Sequence, residues 1–176
     1  SDAAVRQQLE AAGVSTIAGD LLQPGFLDTL PDAGHVIYMT GQKFGTRTAA
    51  GATWATNAYL PGAVCVRYPT SRLLCFSTGN VYPLVPIESG GAAESDSLAP
   101  VGEYGTSAMA RERVVDYFST RLEMPAVIVR LNYATEMRYG VLVDLARKVW
   151  RNEPIDLTMG YFNCIWQQDA NNMAIR

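Results

Sequence analysis

The chain has 176 residues, 48% hydrophobic and 18% charged, with a formal net charge of −3. That composition suits one globular domain with a sizeable core, and it argues against nucleic acid or an anionic membrane as the main partner. No apolar run reaches the roughly 20 residues of a transmembrane helix, and Ser1-Asp-Ala-Ala does not read as a signal peptide.

Taken in order, Asp2 to Ala12 predicts a helix, capped by Asp2, striped by Val5, Leu9 and Ala12, and stopped by Gly13. Val14 to Ala18 predicts a short strand ending in Gly19-Asp20-Leu21, and Pro24 to Leu30 a short helix. His35 to Met39 is the next strand, ending at Thr40-Gly41; His35 itself reads as a turn residue. Thr53 to Val66 suits a helix interrupted near Pro61-Gly62, and Arg72 to Phe76 a further strand. Strands and helices alternating over short connections are the grammar of a parallel sheet.

Pro83 to Pro100, rich in Gly, Pro, Ser and acids, predicts an ordered excursion over the surface. Tyr104 to Leu122 is a long helix with Val114, Val115, Phe118 and Leu122 on its apolar face. Ala126 to Val129 is wholly apolar, as a strand covered on both faces would be. Val141 to Trp150 is helical, Ile155 to Leu157 can form a strand, and Asp169 can cap a last helix. Cys65, Cys75 and Cys164 are odd in number and far apart, which points to buried reduced thiols in a cytoplasmic protein. Nothing in the spacing of Cys, His, Asp or Glu suggests a metal site.

Two stretches carry chemistry. Leu73-Leu-Cys-Phe76 runs into Ser77-Thr-Gly-Asn-Val-Tyr82, so an apolar strand delivers two hydroxyls to the rim of a sheet. Tyr104-Gly-Thr-Ser-Ala108 opens the long helix. A strand-end hydroxyl and a helix-borne phenol can share one substrate oxygen, the first by hydrogen bonding and the second by moving its proton. These stretches resemble the active-site pair of the extended short-chain dehydrogenase/reductases, the NAD-dependent epimerases and dehydratases of nucleotide sugars. The resemblance implies a Rossmann-like, doubly wound α/β sheet as one domain over 1–176, with the substrate region starting after about 133. It makes Thr78 and Tyr104 catalytic and puts the family's Tyr-x-x-x-Lys lysine at position 108, where this chain has alanine.

That lysine binds ribose hydroxyls and its charge favours the ionised phenol, and Ala108 can do neither. Lys43, on the loop after a strand end, and Arg111, further along the Tyr104 face, are the cations that could compensate. Arg111 reads more naturally as a solvated helix arginine, while Lys43 is open to either reading. By the same resemblance, Asp20 caps the adenine amino group with Leu21 flanking the ring, although Asp20 also suits a plain turn. Thr40 and Gly41 let the backbone pass under the cofactor ribose. Asn57 matches the helix asparagine that holds a water near the lysine, although an exposed mid-helix asparagine is the equal alternative. Asn132 resembles the residue that meets nicotinamide or substrate.

The family opens on a strand and a Gly-x-x-Gly-x-x-Gly turn that cradles pyrophosphate, and no such motif occurs here. The resemblance covers nearly all of this chain but only the middle of the family's, so the sheet is expected to be truncated at both ends. The expected function is an NAD- or NADP-dependent epimerase or dehydratase, acting as a homodimer on a sugar-like hydroxyl or ketone with weakened chemistry. The alternative is a catalytically silent dinucleotide-binding sensor or scaffold.

Overall fold

The computed structural model describes residues 3–176, so the cap expected from Asp2 lies outside the described residues. Three parallel strands form the sheet in the order β1 (His35–Tyr38), β2 (Arg72–Thr78), β3 (Ala126–Leu131). His35 pairs with Arg72 and Leu73 with Ala126, so all three strands point to one carboxyl rim, where β2 and β3 end together at Thr78 and Leu131 and β1 stops level with Cys75. A second, two-stranded parallel pair joins β4 (Tyr133–Thr135) to β5 (Cys164–Trp166). The helices are α1 (Ala3–Ala11), α2 (Ala50–Trp54), α3 (Leu60–Arg67), α4 (Gly102–Leu122), α5 (Val141–Trp150) and α6 (Gln167–Ile175).

The core lies between the sheet and the pair formed by α3 and α4. Leu60, Val64 and Cys65 of α3 meet Val115 of α4, Tyr38 of β1, and Leu73 and Cys75 of β2, with Met124 below. Phe118 and Leu122 extend that apolar face, as the periodicity of the long helix predicts. The helix ends at Glu123, whose left-handed backbone (φ 52°) lets its N–H reach back to the last turn.

Several expected elements differ. Val14–Ala18 forms no strand, and Val14 and Ile17 stand about half exposed, because no described strand lies beside them and a strand exists only as a paired ladder. Ile155–Leu157 is likewise unpaired, and Pro24–Leu30 shrinks to a single 3₁₀ turn at Leu27–Thr29. β3 is not covered on both faces, since Val127 is 59% exposed. Asp169 sits in the first turn of α6, where Trp166 holds the cap position. The excursion from Pro83 to Pro100 does run over the surface, tied back by the bond from Ala99 N–H to Val81 O.

The helix predicted over 53–66 is not interrupted at Pro61. It starts at Ala50, ends at Arg67, and accommodates Pro61 through a π-turn at Ala55–Tyr59. Leu60 N–H bonds Ala55 O, five residues back, and Pro61 has no N–H to give. The carbonyls of Thr56 and Asn57 are thereby released from the helix, and both find other donors. Tyr38 Oη donates to Thr56 O at 3.0 Å, and Arg111 Nε donates to Asn57 O at 3.1 Å. Burial pushes the Tyr38 phenol well above its ordinary range, so it remains a donor.

The thiols are free. Cys65 and Cys75 are buried, whereas Cys164 is exposed and departs from the expectation of a buried thiol. Burial pushes Cys75 up to about 12 and Cys65 up to about 11, so little thiolate forms near neutrality. A thiol reagent at pH 8 is therefore expected to label Cys164 first, with Cys65 and Cys75 reacting only once denaturant is added. Labelling of Cys75 as fast as Cys164 in folded protein, read by mass spectrometry, would contradict the buried placement of β2.

Candidate active site

β2 runs two residues past its apolar stretch, so Ser77 and Thr78 belong to the strand, and both are buried. Thr78 caps a 3₁₀ turn at Gly79–Val81, its Oγ1 accepting from Asn80 N–H at 3.3 Å. The helix α4 lands on that turn. A Cβ on Gly105 would stand 2.6 Å from Asn80 O and 3.0 Å from Pro100 Cβ, so only glycine permits the approach. Tyr104, half-buried, occupies the same helical turn as Gly105. Thr78 and Tyr104, far apart in sequence, are thus carried by two turns in direct contact.

Below them lies a charged network. Glu112, 4% exposed, accepts from Ser77 Oγ at 2.5 Å, from Arg130 Nη2 at 2.7 Å and from Arg130 Nε at 3.0 Å. Arg130 also donates to Tyr82 Oη at 2.6 Å. The bonds to Glu112 and Tyr82 push the Arg130 guanidinium further up, so it stays charged. The network ties α4 to the carboxyl ends of β2 and β3, and with them to Tyr82 of the Val-Tyr motif.

Asn57 is fully buried within the π-turn, not an exposed helix residue. Its Nδ2 donates to Gln42 O and to Ser107 Oγ, both at 2.9 Å. Its Oδ1 accepts from Gln42 N at 2.7 Å and from Arg111 Nη2 at 3.1 Å. Two donors and two acceptor positions are all spent on protein, which leaves the side chain no bond for a water. Asn57 therefore clamps the loop after β1 to α4. Ser107 completes the clamp by donating to Tyr104 O at 3.1 Å.

Arg111 is not solvated: it is 6% exposed. Besides the two Asn57 bonds, its Nη1 donates to Phe76 O at 2.7 Å. An arginine on a helix face gives no sign of such burial in the sequence; the carbonyl that Pro61 leaves without its usual N–H four residues on is the one signal that could have pointed to a buried donor. Ala108 is itself 1% exposed, enclosed and uncharged. Gly41, at the end of β1, lies against the guanidinium; a Cβ there would be 2.8 Å from Arg111 Nη2.

The other expected residues sit around the same rim. Thr40 is half-buried at the end of β1. Lys43 is exposed on the following loop, with Nζ 4.9 Å from the Tyr133 ring centre. Asn132 follows β3, and its side chain occupies the space a Cβ on Gly79 would need. Lys43 and Asn132 therefore meet the site through Tyr133 and Gly79. Asp20 lies outside that group in an exposed turn, its Oδ1 accepting from Leu22 N–H at 2.9 Å, with Leu21 half-buried beside it. Among the described residues no group of His, Cys, Asp and Glu could hold a metal ion, and no helix is long and apolar enough to cross a membrane.

Several solved structures share this architecture. MoeE5 in complex with UDP-glucose and NAD superposes with a TM-score of 0.74 at 18% identity, over 98% of this chain and 66% of that one. UDP-glucuronic acid 4-epimerase from Bacillus cereus, in complex with UDP-glucuronic acid and NAD, gives 0.77 at 16% identity, over 97% and 58%. RMD from Pseudomonas aeruginosa complexed with NADPH gives 0.75 at 18% identity, over 97% and 69%. The chain spans between about half and two thirds of the length of these proteins, and the likeness establishes a Rossmann-like fold. No curated protein matches it. The sequence profile described as the NAD dependent epimerase/dehydratase family matches residues 2–135, which include the stretches that carry Thr78 and Tyr104 and the whole three-stranded sheet. On that match over most of its length, the chain belongs to the NAD-dependent epimerase/dehydratase family.

Proposed function

We propose that this chain is the core of an NAD- or NADP-dependent epimerase or dehydratase that handles a hydroxyl or ketone of a nucleotide sugar. The observation that carries the reading is the seat of Gly105 on Asn80, which sets the Thr78 turn beside the Tyr104 turn. The three solved structures named above hold NAD or NADPH, and two of them also hold a UDP-sugar. The residues present suit the ribose and adenine ends of a dinucleotide. Gly41 offers a side-chain-free surface at the end of β1 beside Thr40, with Lys43 and Asn132 at the same rim. Asp20 keeps one carboxylate oxygen for an adenine amino group while the other holds its turn, and Leu21 supplies the apolar flank.

A nicotinamide ring, when bound, accepts and returns the hydride. The protein's part is to bind and to move a proton. Thr78 Oγ1 would hold the substrate oxygen, and Tyr104 would take the substrate hydroxyl's proton as a phenolate while the carbonyl forms and return it as a phenol on reduction. Asn57, with its amide fully committed, fixes the loop beneath the ribose and serves both from behind. The assignment covers residues 1–176 as one domain, with the segment after about 133 opening the substrate region. We place the protein in the cytoplasm as a homodimer through the outer faces of α2, α3 and α4, where Trp54, Tyr59, Val66 and Tyr117 stand exposed. Sedimentation equilibrium tests that assembly.

One observation favours a second reading. Position 108 is an enclosed alanine, so no cation stands one turn from the phenol, which suits a silent dinucleotide-binding module. Titration of NADH and NADPH into the full-length protein, followed by reduced-cofactor absorbance with sugar nucleotides, separates the two. For an enzyme, Tyr104→Phe is expected to cut turnover by about 10²- to 10⁴-fold, the usual worth of a positioned acid or base, with dinucleotide binding retained. Binding without turnover in wild type would favour the silent module, and the absence of binding would sink both readings.

A further inference from the structure

Arg111 is a permanent charge, and among the described residues nothing of opposite sign lies against it. Its bonds go to neutral oxygens, Asn57 O, Asn57 Oδ1 and Phe76 O, and the Tyr38 ring centre lies 5.5 Å away. Glu112, next in sequence, is committed to Arg130 and Ser77. Neutral acceptors orient a buried guanidinium but do not neutralise it, so the folded state carries a standing electrostatic cost at this point.

The charge is open on one side. Gly41 is exposed at the end of β1, and a Cβ there would stand 2.8 Å from Arg111 Nη2. Glycine therefore leaves only its own backbone between the guanidinium and the rim where ligands of open parallel sheets bind. Three of five N–H groups are spent, and the other two have no protein acceptor among the described residues.

We propose that Arg111 is the fixed cation of this site. It is a positioning residue that holds Gln42 through Asn57 and lies against Gly41, and its charge is matched by an anionic, pyrophosphate-bearing ligand lying over Gly41. The inference rests on the dinucleotide reading above. It also accounts for alanine at 108. Residues 108 and 111 are adjacent on one helix face, and both are buried, so a lysine at 108 would set a second cation beside the first. The helix has room for one such charge, and this chain carries it one turn further from Tyr104.

The test is a double-variant cycle in the full-length protein, reading NADH affinity by fluorescence and folding by thermal melts. Arg111→Met should weaken NADH by roughly tenfold to a hundredfold, the range for losing a hydrogen-bonded charge. Ala108→Lys alone should melt at lower temperature than wild type. The two together should melt near wild type and recover NADH affinity to within about threefold, because one cation is restored. A merely structural arginine would not be rescued by a lysine elsewhere, so a folded double variant no better than Arg111→Met overturns the proposal. If Arg111→Met does not fold, Arg111→Lys decides: it should stay within about threefold of wild type, and a folded Lys variant that loses tenfold overturns it. Wild type that binds no dinucleotide sinks the functional reading as well, whereas wild-type binding without rescue sinks this inference alone.

Discussion

Glu112→Ala is expected to destabilise the fold by about 3–5 kcal/mol, the usual cost of removing one member of a buried ion pair. The carboxylate is 4% exposed and accepts from Ser77 and from two nitrogens of Arg130, whose side chain is 24% exposed. Its loss leaves the Arg130 charge with only Tyr82 Oη and the Glu94 carbonyl as acceptors. Glu112→Gln keeps an acceptor and loses the charge, so about 1.5–3 kcal/mol is expected. Asp32→Ala is the control: it breaks the pair with Arg67, but Asp32 is 95% exposed, and exposed pairs contribute about 0–1 kcal/mol. Urea unfolding gives all three, with midpoints falling in the order Asp32→Ala, Glu112→Gln, Glu112→Ala at unchanged slope. A Glu112→Ala midpoint equal to that of Asp32→Ala would mean that the network does not hold α4 to the sheet.

The parts of this site legible in the sequence are those written in local pattern. An apolar run ending in Ser77-Thr78-Gly79 reads as a strand reaching a rim, and β2 does end at Thr78. The periodicity of Tyr104 to Leu122 reads as one long helix, and α4 needs no correction beyond two residues at its start. What was illegible depends on partners distant in sequence. Val14–Ala18 has strand composition but no strand beside it among the described residues, and composition does not say whether a neighbour exists. Pro61 reads as a break because proline usually costs a helix its i−4 bond. Here a π-turn absorbs the misfit, and the freed oxygens go to Tyr38 and Arg111, side chains on another strand and another helix. Arg111 reads as solvated because helix arginines generally are, and its burial follows only from that tertiary exchange.

On the proposed enzyme reading, Gly105→Ala is expected to cut turnover by about a hundredfold while leaving the fold largely intact. Alanine is the better helix former by about 0.5–1 kcal/mol, so α4 taken alone gains. Against that, its Cβ would stand 2.6 Å from Asn80 O, a backbone atom that cannot rotate away, and 3.0 Å from Pro100 Cβ. Overpacking of this kind costs about 1–3 kcal/mol, and the net loss should stay near 2 kcal/mol or below. The clash is relieved only by moving the first turn of α4 away from the Gly79–Val81 turn. Tyr104 travels with the first and Thr78 caps the second, so the two hydroxyls part by something near an ångström. Misplacement on that scale costs on the order of 10²-fold in rate, without a matching loss of dinucleotide affinity, because Gly41 and Asp20 lie on other loops. Gly51→Ala in α2 is the matched control: its Cβ would meet nothing within 4 Å, so it should raise the melting temperature and leave turnover unchanged. A Gly105→Ala protein that turns over at the wild-type rate would mean that the contact between these turns does not position the chemistry.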